Sequence, residues 1–306
     1  MRVVFMGTPE FAVPSLEAIQ AAGFDIPLVV TLPDREQGRG RKVIPTAVKL
    51  RAVELGLDVA DPESLTDNSF LARLRSVEPD VICVVAFRIL PPEVFEIPRL
   101  GSFNLHGSLL PRYRGAAPIQ RAIMAGDTET GVTTFFLKRT VDTGDMILQK
   151  SIPIGEEMTG GELHDIMKIV GAEAVVETLR SIEAGDVVSI AQENAHASKA
   201  PKIFREDTVI DWSAGDGDIH NLIRALSPYP GAVTTSSLGQ LKVLRSVRTS
   251  RDGLEPGVIR VEEGRLFVGT GGNDIEIVML QREGKRGVDT ASFLRGATMT
   301  SGERFV

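Results

Sequence analysis

The sequence contains a single cysteine, which limits the covalent chemistry that the chain can perform. Cys83 lies in the apolar run DVICVVAF. Without a second cysteine, the chain can form neither an intramolecular disulfide nor a zinc site built from several thiolates. We therefore predict that Cys83 is a small apolar residue of the core.

Long apolar runs and the fingerprints of common cofactors are also missing. No run of 18 or more apolar residues occurs, and the chain opens on the strand-like MRVVFMG, so we expect no membrane partner and a cytoplasmic location. The turn after this strand lacks GxGxxG, which argues against a nicotinamide cofactor. His164, His196 and His220 do not have the spacing of metal ligands, so we expect no metal.

Charge is distributed unevenly along an otherwise ordinary globular sequence of 306 residues with a formal net charge of −7. The negative total argues against a nucleic-acid footprint over the whole surface. Between residues 35 and 51, however, the chain carries six basic residues and one acid, Glu36. The six basic residues of this patch are Arg35, Arg39, Arg41, Lys42, Lys49 and Arg51.

The first part of the chain alternates apolar strand-like runs with helical patterns. RVVFM, IPLVVTL, DVICVVAF and SFNLH read as strands, and a helix is predicted from near Thr159 to Gly185. This alternation is typical of βαβ units, so residues 1–185 are predicted to form an α/β domain with a doubly wound, mainly parallel sheet. Residues 186–205 are predicted to be a linker. Short strands with frequent glycines then favour a small β-barrel or sandwich over residues 206–306.

Asn104 and His106 form the most informative pair in the sequence. They are two residues apart in SFNLH, so their side chains project from the same face of a strand. Gly107 follows at the strand's carboxyl end, the edge at which parallel sheets bind ligands. We therefore expect an amide and an imidazole to point together into one crevice.

An amide, an imidazole and a carboxylate together suit the transfer of an acyl group to an amine. The amide N–H stabilises the oxyanion, and an imidazole accepts the amine's proton near neutral pH. Asp142, in TVDTGD, would orient the imidazole or relay protons. Taken separately, Asn-x-His also fits a hydrogen-bonded structural pair, and the aspartate also fits a turn. The adjoining SLLPRYRG, with its rigid proline, two arginines and tyrosine, favours a site.

These motifs carry a family resemblance. NLHGSLLPRYRGAAPIQRAI with VDTGD downstream resembles the formyltransferases that use 10-formyltetrahydrofolate. The opening VVFMGTPEFAVP, the loop PDREQGRGRK, DWS and SPYPGA extend the match along the whole chain, and they resemble the branch of the family whose acceptor is initiator methionyl-tRNA. The resemblance implies a formyltransferase domain followed by an OB-like β-barrel that binds tRNA.

The resemblance also implies roles for individual residues. Asn104, His106 and Asp142 would be the catalytic trio, with formyl-folate as co-substrate and no metal. The folate site would be lined by Ser108, Leu109, Leu110 and Pro111. RNA contacts are expected from a loop in which glycines alternate with basic residues, and these contacts are assigned to Arg35, Arg39, Arg41 and Lys42. A large RNA partner suits a monomer.

Two features depart from the family pattern. Arg88 stands in VVAFRILP where the family often has a small residue, which puts the folate contacts at that edge in doubt. Residues 206–306 hold 12 basic and 14 acidic side chains, a net charge of −2, whereas a tRNA-docking domain is expected to be basic. The clusters RSVRTSR and QREGKRG would have to supply a local positive face, or they are solvated surface.

Three rival functions remain open from the sequence. A formyltransferase acting on a small amine, such as an amino sugar or a glycinamide nucleotide, would share the trio but would not need the arginine loop or a trailing domain. A hydrolase of formyl-folate would use water in place of the amine. A non-catalytic RNA-binding module would have no use for the trio.

Overall fold

The computed structural model describes residues 1–37, 42–297 and 299–306 of the chain, which divides into two compact units. Unit 1 comprises Met1–Gly115, Gly131–Ile152 and His164–Lys199. Unit 2 comprises Ala116–Thr130, Pro153–Leu163 and Ala200–Val306. Each unit therefore draws on separate segments of the chain, whereas the predicted domains at 1–185 and 206–306 are contiguous and stay predictions.

Strands and helices alternate over the first 200 residues. The strands are β1 (Arg2–Gly7), β2 (Asp25–Val30), β3 (Arg35–Gln37), β4 (Lys42–Ile44), β5 (Val59–Ala60), β6 (Val81–Val85), β7 (Ser102–His106), β8 (Arg114–Gly115), β9 (Glu129–Phe136), β10 (Met146–Pro153) and β11 (Lys199–Ala200). The helices are α1 (Val13–Ala21), α2 (Ala47–Glu54), α3 (Asn68–Ser76), α4 (Pro92–Phe95), α5 (Pro118–Met124) and α6 (Gly160–Ala184).

A seven-stranded sheet in the order β10-β9-β7-β6-β1-β2-β5 forms the centre of unit 1. The five strands from β5 to β7 are parallel, and β9 runs antiparallel to β7. All five residues of β6, VICVV, are buried, as expected for a strand covered on both faces. The mainly parallel α/β fold predicted from the sequence is confirmed.

Helix α3 shows how local sequence and packing combine in this unit. Asp67 caps its first turn, since the carboxylate accepts hydrogen bonds from the amides of Ser69 and Phe70 at 2.8 and 3.2 Å. Phe70 and Leu74, one turn apart, are buried against the sheet. The cap fixes where the helix begins, and the buried face attaches it to the core of unit 1.

The strand register aligns the carboxyl ends of three neighbouring strands. Gly7 of β1 pairs with Val85 of β6, and Val85 is next to Leu105 of β7. From β1 the chain proceeds outward to β2 and β5, and it then returns to place β6 and β7 on the other side. The strand order thus reverses between β1 and β6, and ligands of open α/β sheets bind at such reversals, beyond the carboxyl ends.

Unit 2 contains a six-stranded antiparallel sheet. Five strands follow the order β12-β13-β16-β15-β14, and β17 pairs with β16. Its elements are α7 (Asp216–Leu226), β12 (Ala232–Ser236), β13 (Gly239–Arg248), β14 (Ile259–Glu262), β15 (Arg265–Val268), β16 (Ile275–Arg282), β17 (Val288–Asp289) and α8 (Thr290–Gly296). Buried residues of α7, α8 and the strands share one apolar core, in which Trp212 is also buried. The predicted change to short strands in the C-terminal part is confirmed.

The last four residues of the chain hydrogen-bond to both edge strands of this sheet. The amide of Ile259 donates to Glu303 O at 2.9 Å, and Phe305 N donates to Gly257 O at 2.8 Å. Thr235 and Val306 exchange backbone hydrogen bonds of 2.8 and 2.9 Å. The C-terminal segment therefore links β14 to β12, which is the pairing that a barrel requires.

Two further predictions concern burial and membranes. Cys83 is fully buried, and burial raises the pKa of its thiol well above the ordinary value, so this cysteine is a core residue as predicted. In the part of the chain that the structure describes, every helix is too short or too polar to cross a lipid bilayer.

Candidate active site

Asn104 and His106 occupy the carboxyl end of β7 and lie on the same face of the sheet. His106 is 6% exposed, and Asn104 is partly exposed within an otherwise buried strand. Phe135 of β9 pairs with Asn104, and its ring meets the imidazole edge-on with centroids 6.5 Å apart. The predicted juxtaposition of amide and imidazole thus follows from the strand geometry.

The hydrogen bond made by His106 determines which ring nitrogen is left with a free lone pair. Nε2 lies 2.8 Å from the carbonyl oxygen of Tyr113. A carbonyl oxygen only accepts, so Nε2 carries the proton in this contact. Within residues 1–37, 42–297 and 299–306, Nδ1 makes no hydrogen bond, so the neutral ring offers a free lone pair at Nδ1.

Asp142 is held by the same turn of chain that holds His106. Its Oδ2 accepts a hydrogen bond of 2.9 Å from the amide of Gly115, and only Arg114 separates Gly115 from Tyr113. The backbone of Asp142 is left-handed, with φ of 56°. Two members of the predicted trio therefore contact one short turn, Tyr113–Gly115, and the third shares a strand face with His106.

The predicted folate-site residues form a tight turn directly after β7. Ser108 is fully buried, and its hydroxyl donates to Arg112 O at 2.6 Å. Leu110 is 3% exposed, with its amide donating to Thr133 Oγ1 and its carbonyl accepting from Gln149 Nε2. The side chains of Ser108 and Leu110 are thus buried in the turn, and the Ser108 carbonyl and both backbone polar groups of Leu110 are hydrogen-bonded within the protein.

Leu109 and Pro111 complete this turn and differ in their surroundings. Leu109 is partly exposed and packs beside Gly131, where a Cβ would approach Leu109 Cδ2 to 2.6 Å. Pro111 is partly exposed and follows a cis peptide bond. The turn therefore presents Leu109 and Pro111 at its surface. Both follow Asn104 and His106 within a few residues of the chain.

Sequence reasoning missed the contribution of residues 190–198, which it predicted to be a linker. Ser198 holds the turn from three positions: its hydroxyl accepts from Tyr113 N at 2.9 Å, its carbonyl from Arg114 N at 2.9 Å, and its amide donates to Pro111 O at 3.3 Å. Gln192 contacts the loop that carries Asp142. No periodicity signals such contacts, because they join residues 50 or more positions apart.

Arg88, the departure noted in the sequence, is turned toward the loop after β5. Its Nη2 and Nη1 donate to the carbonyls of Pro62 and Glu63 at 2.6 and 2.9 Å. Burial lowers the pKa of this guanidinium. Two of its donor groups are therefore occupied by the protein's own backbone, although the charge remains at the carboxyl edge of the sheet.

The predicted RNA-contact residues are only partly described. Arg35 is exposed in β3, which pairs with β4. Arg39 and Arg41 lie outside the described residues, and of Lys42 only the backbone is described. The four assignments stay predictions.

The remaining histidines have structural surroundings. His220 is 4% exposed, with Nδ1 3.1 Å from Ser246 Oγ and Nε2 3.2 Å from Glu156 O. His164 has ligand atoms of Glu10 and Asp165 close by, an arrangement that could hold a cation. Lys168 already pairs with both carboxylates, at 2.7 and 2.9 Å, so its ammonium supplies the compensating charge.

Comparison with known proteins identifies the family. The model of the formyl transferase family matches residues 1–179, and that of the formyl transferase C-terminal domain matches residues 202–298. The chain belongs to the formyl transferase family. Methionyl-tRNA formyltransferase of Chlorobium luteolum is 48% identical over 97% of this chain and 96% of its own length. Methionyl-tRNA formyltransferase of Porphyromonas gingivalis is 46% identical over 98% and 97%.

Solved structures share the formyl transferase fold at low sequence identity. The N-formyltransferase from Helicobacter canadensis, solved with folinic acid and dTDP-3-aminofucose, has a TM-score of 0.67 at 22% identity, covering 90% of this chain and 98% of its own. HypX from Aquifex aeolicus, solved with tetrahydrofolic acid, has a TM-score of 0.63 at 19% identity, covering 96% of this chain and 47% of its own. These likenesses show the fold alone.

Proposed function

We propose that this chain transfers the formyl group of 10-formyltetrahydrofolate to the α-amino group of initiator methionyl-tRNA, as the resemblance implied. The observation that carries the proposal is the turn Tyr113–Gly115, which contacts both His106 and Asp142, while Asn104 shares a strand face with His106. Relatives named methionyl-tRNA formyltransferase, at 43–48% identity over nearly the whole chain, support the choice of acceptor.

In this proposal each residue of the trio has one task. The methionyl α-amine attacks the formyl carbon, and the side-chain N–H of Asn104 stabilises the oxygen as it becomes negative. Nδ1 of His106 accepts the proton that the amine loses. The bond to the folate nitrogen then breaks, and that nitrogen receives a proton in return. This proton comes from the His106 imidazolium, and Asp142, whose carboxylate is held by the Gly115 amide, would relay it through water.

The folate is proposed to lie against the turn Ser108–Pro111. Because Ser108 and Leu110 are buried and hydrogen-bonded within the protein, they would line the folate site by shaping this turn. Leu109 and Pro111 would supply apolar surface for the aromatic part of the folate. The guanidinium of Arg88 lies at the same edge, where burial lowers its pKa.

Unit 2 carries two aromatic side chains that suit stacking on RNA bases. Among the aromatic residues that the structure describes, only Phe204 and Tyr229 are exposed, at 54% and 82%. Each has a lysine ammonium near its ring: Lys202 at 6.0 Å and Lys242 at 5.9 Å. An exposed ring next to a cation binds a base and its phosphate together. These pairs would offset the negative total charge of residues 206–306.

Replacing Tyr229 by alanine is expected to raise KM for methionyl-tRNA by about 5- to 150-fold, because stacking of one base contributes roughly 1–3 kcal/mol. Steady-state kinetics with KM for formyl-folate as internal reference would measure this. Val209→Ala is the matched control, since Val209 is an exposed apolar residue of unit 2 outside the two aromatic pairs. An unchanged KM for tRNA in Tyr229→Ala would remove this residue from the RNA surface.

The exposed Arg35 and the neighbouring basic loop are proposed as a second RNA contact. Glycines alternate with arginines between Gly38 and Arg41, and four positive charges lie within eight residues. Such a segment neutralises phosphates whatever the RNA sequence. If the loop is instead only solvated surface, its charges contribute nothing to tRNA binding at any salt concentration.

A small-amine acceptor is the nearest rival function. The Helicobacter canadensis N-formyltransferase covers nearly this whole chain, so a trailing domain alone does not distinguish the two acceptors. The two cation–aromatic pairs and the basic loop favour RNA. If the chain were a formyl-folate hydrolase, the RNA features would have no role. If it were a non-catalytic RNA-binding module, the trio would have no role. The chain is further proposed to act as a monomer in the cytoplasm.

The acceptor is tested by supplying formyl-folate with methionyl-tRNA, an amino-sugar nucleotide, or glycinamide ribonucleotide. We expect formyl-methionyl-tRNA as the product, with turnover of the small amines at least about a hundredfold lower, since they lack the remote binding energy of the tRNA. Formylation of a small amine without formyl-methionyl-tRNA would refute the proposed acceptor. Consumption of formyl-folate without any acceptor would indicate the hydrolase.

A further inference from the structure

Gln192 is the centre of a hydrogen-bond network that the predicted trio does not include. Its Oε1 accepts from Arg114 Nε and Nη2 at 3.0 and 2.6 Å. Its Nε2 donates to the carbonyls of Asp142 and Gly144 at 3.0 and 2.8 Å. All four hydrogen bonds lie within unit 1. One side chain thus joins the turn after β7 to the loop that carries the carboxylate.

Only an amide satisfies this position. The guanidinium of Arg114 only donates, and the carbonyls of Asp142 and Gly144 only accept, so one side chain must accept on one side and donate on the other. These partners also fix the orientation of the amide. Glutamate would keep the contact with Arg114 but would place an oxygen against two carbonyl oxygens, and a residue without polar atoms would lose all four hydrogen bonds.

The network closes a ring around Asp142. Gly115 N donates to the carboxylate of Asp142, Arg114 precedes Gly115, and Arg114 returns through Gln192 to the Asp142 carbonyl. The carboxylate and the backbone of Asp142 are therefore fixed by two ends of the same turn. This matters because Asp142 has a left-handed backbone, which a non-glycine residue keeps only when its surroundings enforce it.

The segment that carries Gln192 is itself anchored along this loop. Met146 and Ile190 exchange backbone hydrogen bonds, both of 2.8 Å, just before Gln192. Asn194 accepts a further hydrogen bond of 3.0 Å from Arg114 Nη1. Gln192 is therefore held between a backbone bridge and a side-chain contact, and its amide is placed in advance of any substrate.

We propose that Gln192 is a positioning residue: it acts through Arg114 and the backbone of residues 142–144 to hold the carboxylate of Asp142 at the turn that also binds His106. The expected effect on kcat rests on the proposed function, whereas the hold on Asp142 is a property of the chain without substrate. Gln192 touches no reacting atom in this account. Its removal misplaces Asp142 and leaves the folate turn intact.

The kinetic test uses Gln192→Glu, which is nearly isosteric but introduces a negative charge, and Gln192→Met, which is similar in size and uncharged. Each is expected to lower kcat by roughly 10- to 100-fold, because a distant substitution that displaces a catalytic group has effects of this size. KM for formyl-folate should change less than about threefold. In an Asp142→Ala background the same substitutions should cost almost nothing further. An equal loss in both backgrounds would show a general structural role and overturn the proposal. Glu193→Gln, at a neighbouring exposed side chain, is the matched control.

Hydrogen exchange separates this inference from the proposed function. The amide of Gly115 donates to Asp142 Oδ2, so its exchange rate reports how firmly the carboxylate is held, without any substrate. We expect Gln192→Glu to raise this rate about tenfold or more, with Glu193→Gln unchanged. If exchange rises while no acceptor is formylated by the wild-type chain, the proposed function fails and the positioning role stands. If exchange at Gly115 is unchanged, the positioning role fails.

Discussion

Replacing His106 by glutamine is expected to lower kcat by roughly a hundred- to ten-thousand-fold, the usual contribution of a positioned general base. Tyr113 O accepts the proton of Nε2, which leaves Nδ1 as the basic atom. The amide nitrogen of glutamine reaches about as far as Nε2 and can keep the hydrogen bond to Tyr113 O. It offers no base at the position of Nδ1, so catalysis should fall while the turn keeps its shape.

Two companion variants make this result interpretable. His106→Asn places its polar atoms near Nδ1 and loses the contact with Tyr113, so it is expected to lose activity and also to lower the melting temperature. His164→Ala, at a partly exposed histidine on α6, should leave kcat unchanged. Single-turnover rates and thermal unfolding measure both effects. Retention of activity within about tenfold in His106→Gln would exclude this residue as the base.

Replacing Gly144 by alanine is expected to destabilise unit 1 severely. A Cβ at this position would lie 1.5 Å from Phe136 O and 2.7 Å from Phe136 C, which are backbone atoms of the sheet. Overpacking typically costs about 1–3 kcal/mol, and a clash with backbone lies at the upper end or beyond. We expect the melting temperature to fall by about 5–10 °C, since 1 kcal/mol corresponds to roughly 2–4 °C in a domain of this size.

The same substitution should abolish most of the activity, because the displaced loop carries Asp142 and accepts a hydrogen bond from Gln192 at Gly144 O. Gly155→Ala is the control: its Cβ would meet only Met158 Cβ, at 3.8 Å, an ordinary contact. Differential scanning calorimetry and the formylation assay would be run on both variants. A melting temperature for Gly144→Ala within about 2 °C of the wild type would show that the loop can move aside at little cost.

The parts of the fold that were predictable are those with a local signal. The continuous apolar run at Val81–Val85 identified a strand, and the spacing of Asn104 and His106 placed them on one face of β7. The predicted start of α6 near Thr159 corresponds to a reciprocal cap, in which Thr159 and Glu162 exchange hydrogen bonds. Each of these conclusions depends on residues within a few positions of one another.

The parts that were not predictable depend on contacts between distant segments. Gln192 looks like any polar residue of an irregular stretch, and its role arises only because residues 190–194 run beside residues 142–146. The ring nitrogen of His106 that keeps a free lone pair is set by a carbonyl seven residues away, which has no sequence signature. Likewise, residues 116–130 group with the C-terminal unit although they precede it by many positions.

The hydrogen bonds made by residues 303–306 affect how the C-terminal unit is completed during synthesis. Thr235 and Ile259 emerge from the ribosome well before Glu303 and Val306, which supply their backbone partners. Until then, Thr235 of β12 and Ile259 of β14 lack these backbone partners, and another nascent chain can pair with the strand edges there. These hydrogen bonds of β12 and β14 therefore form only once residues 303–306 have emerged.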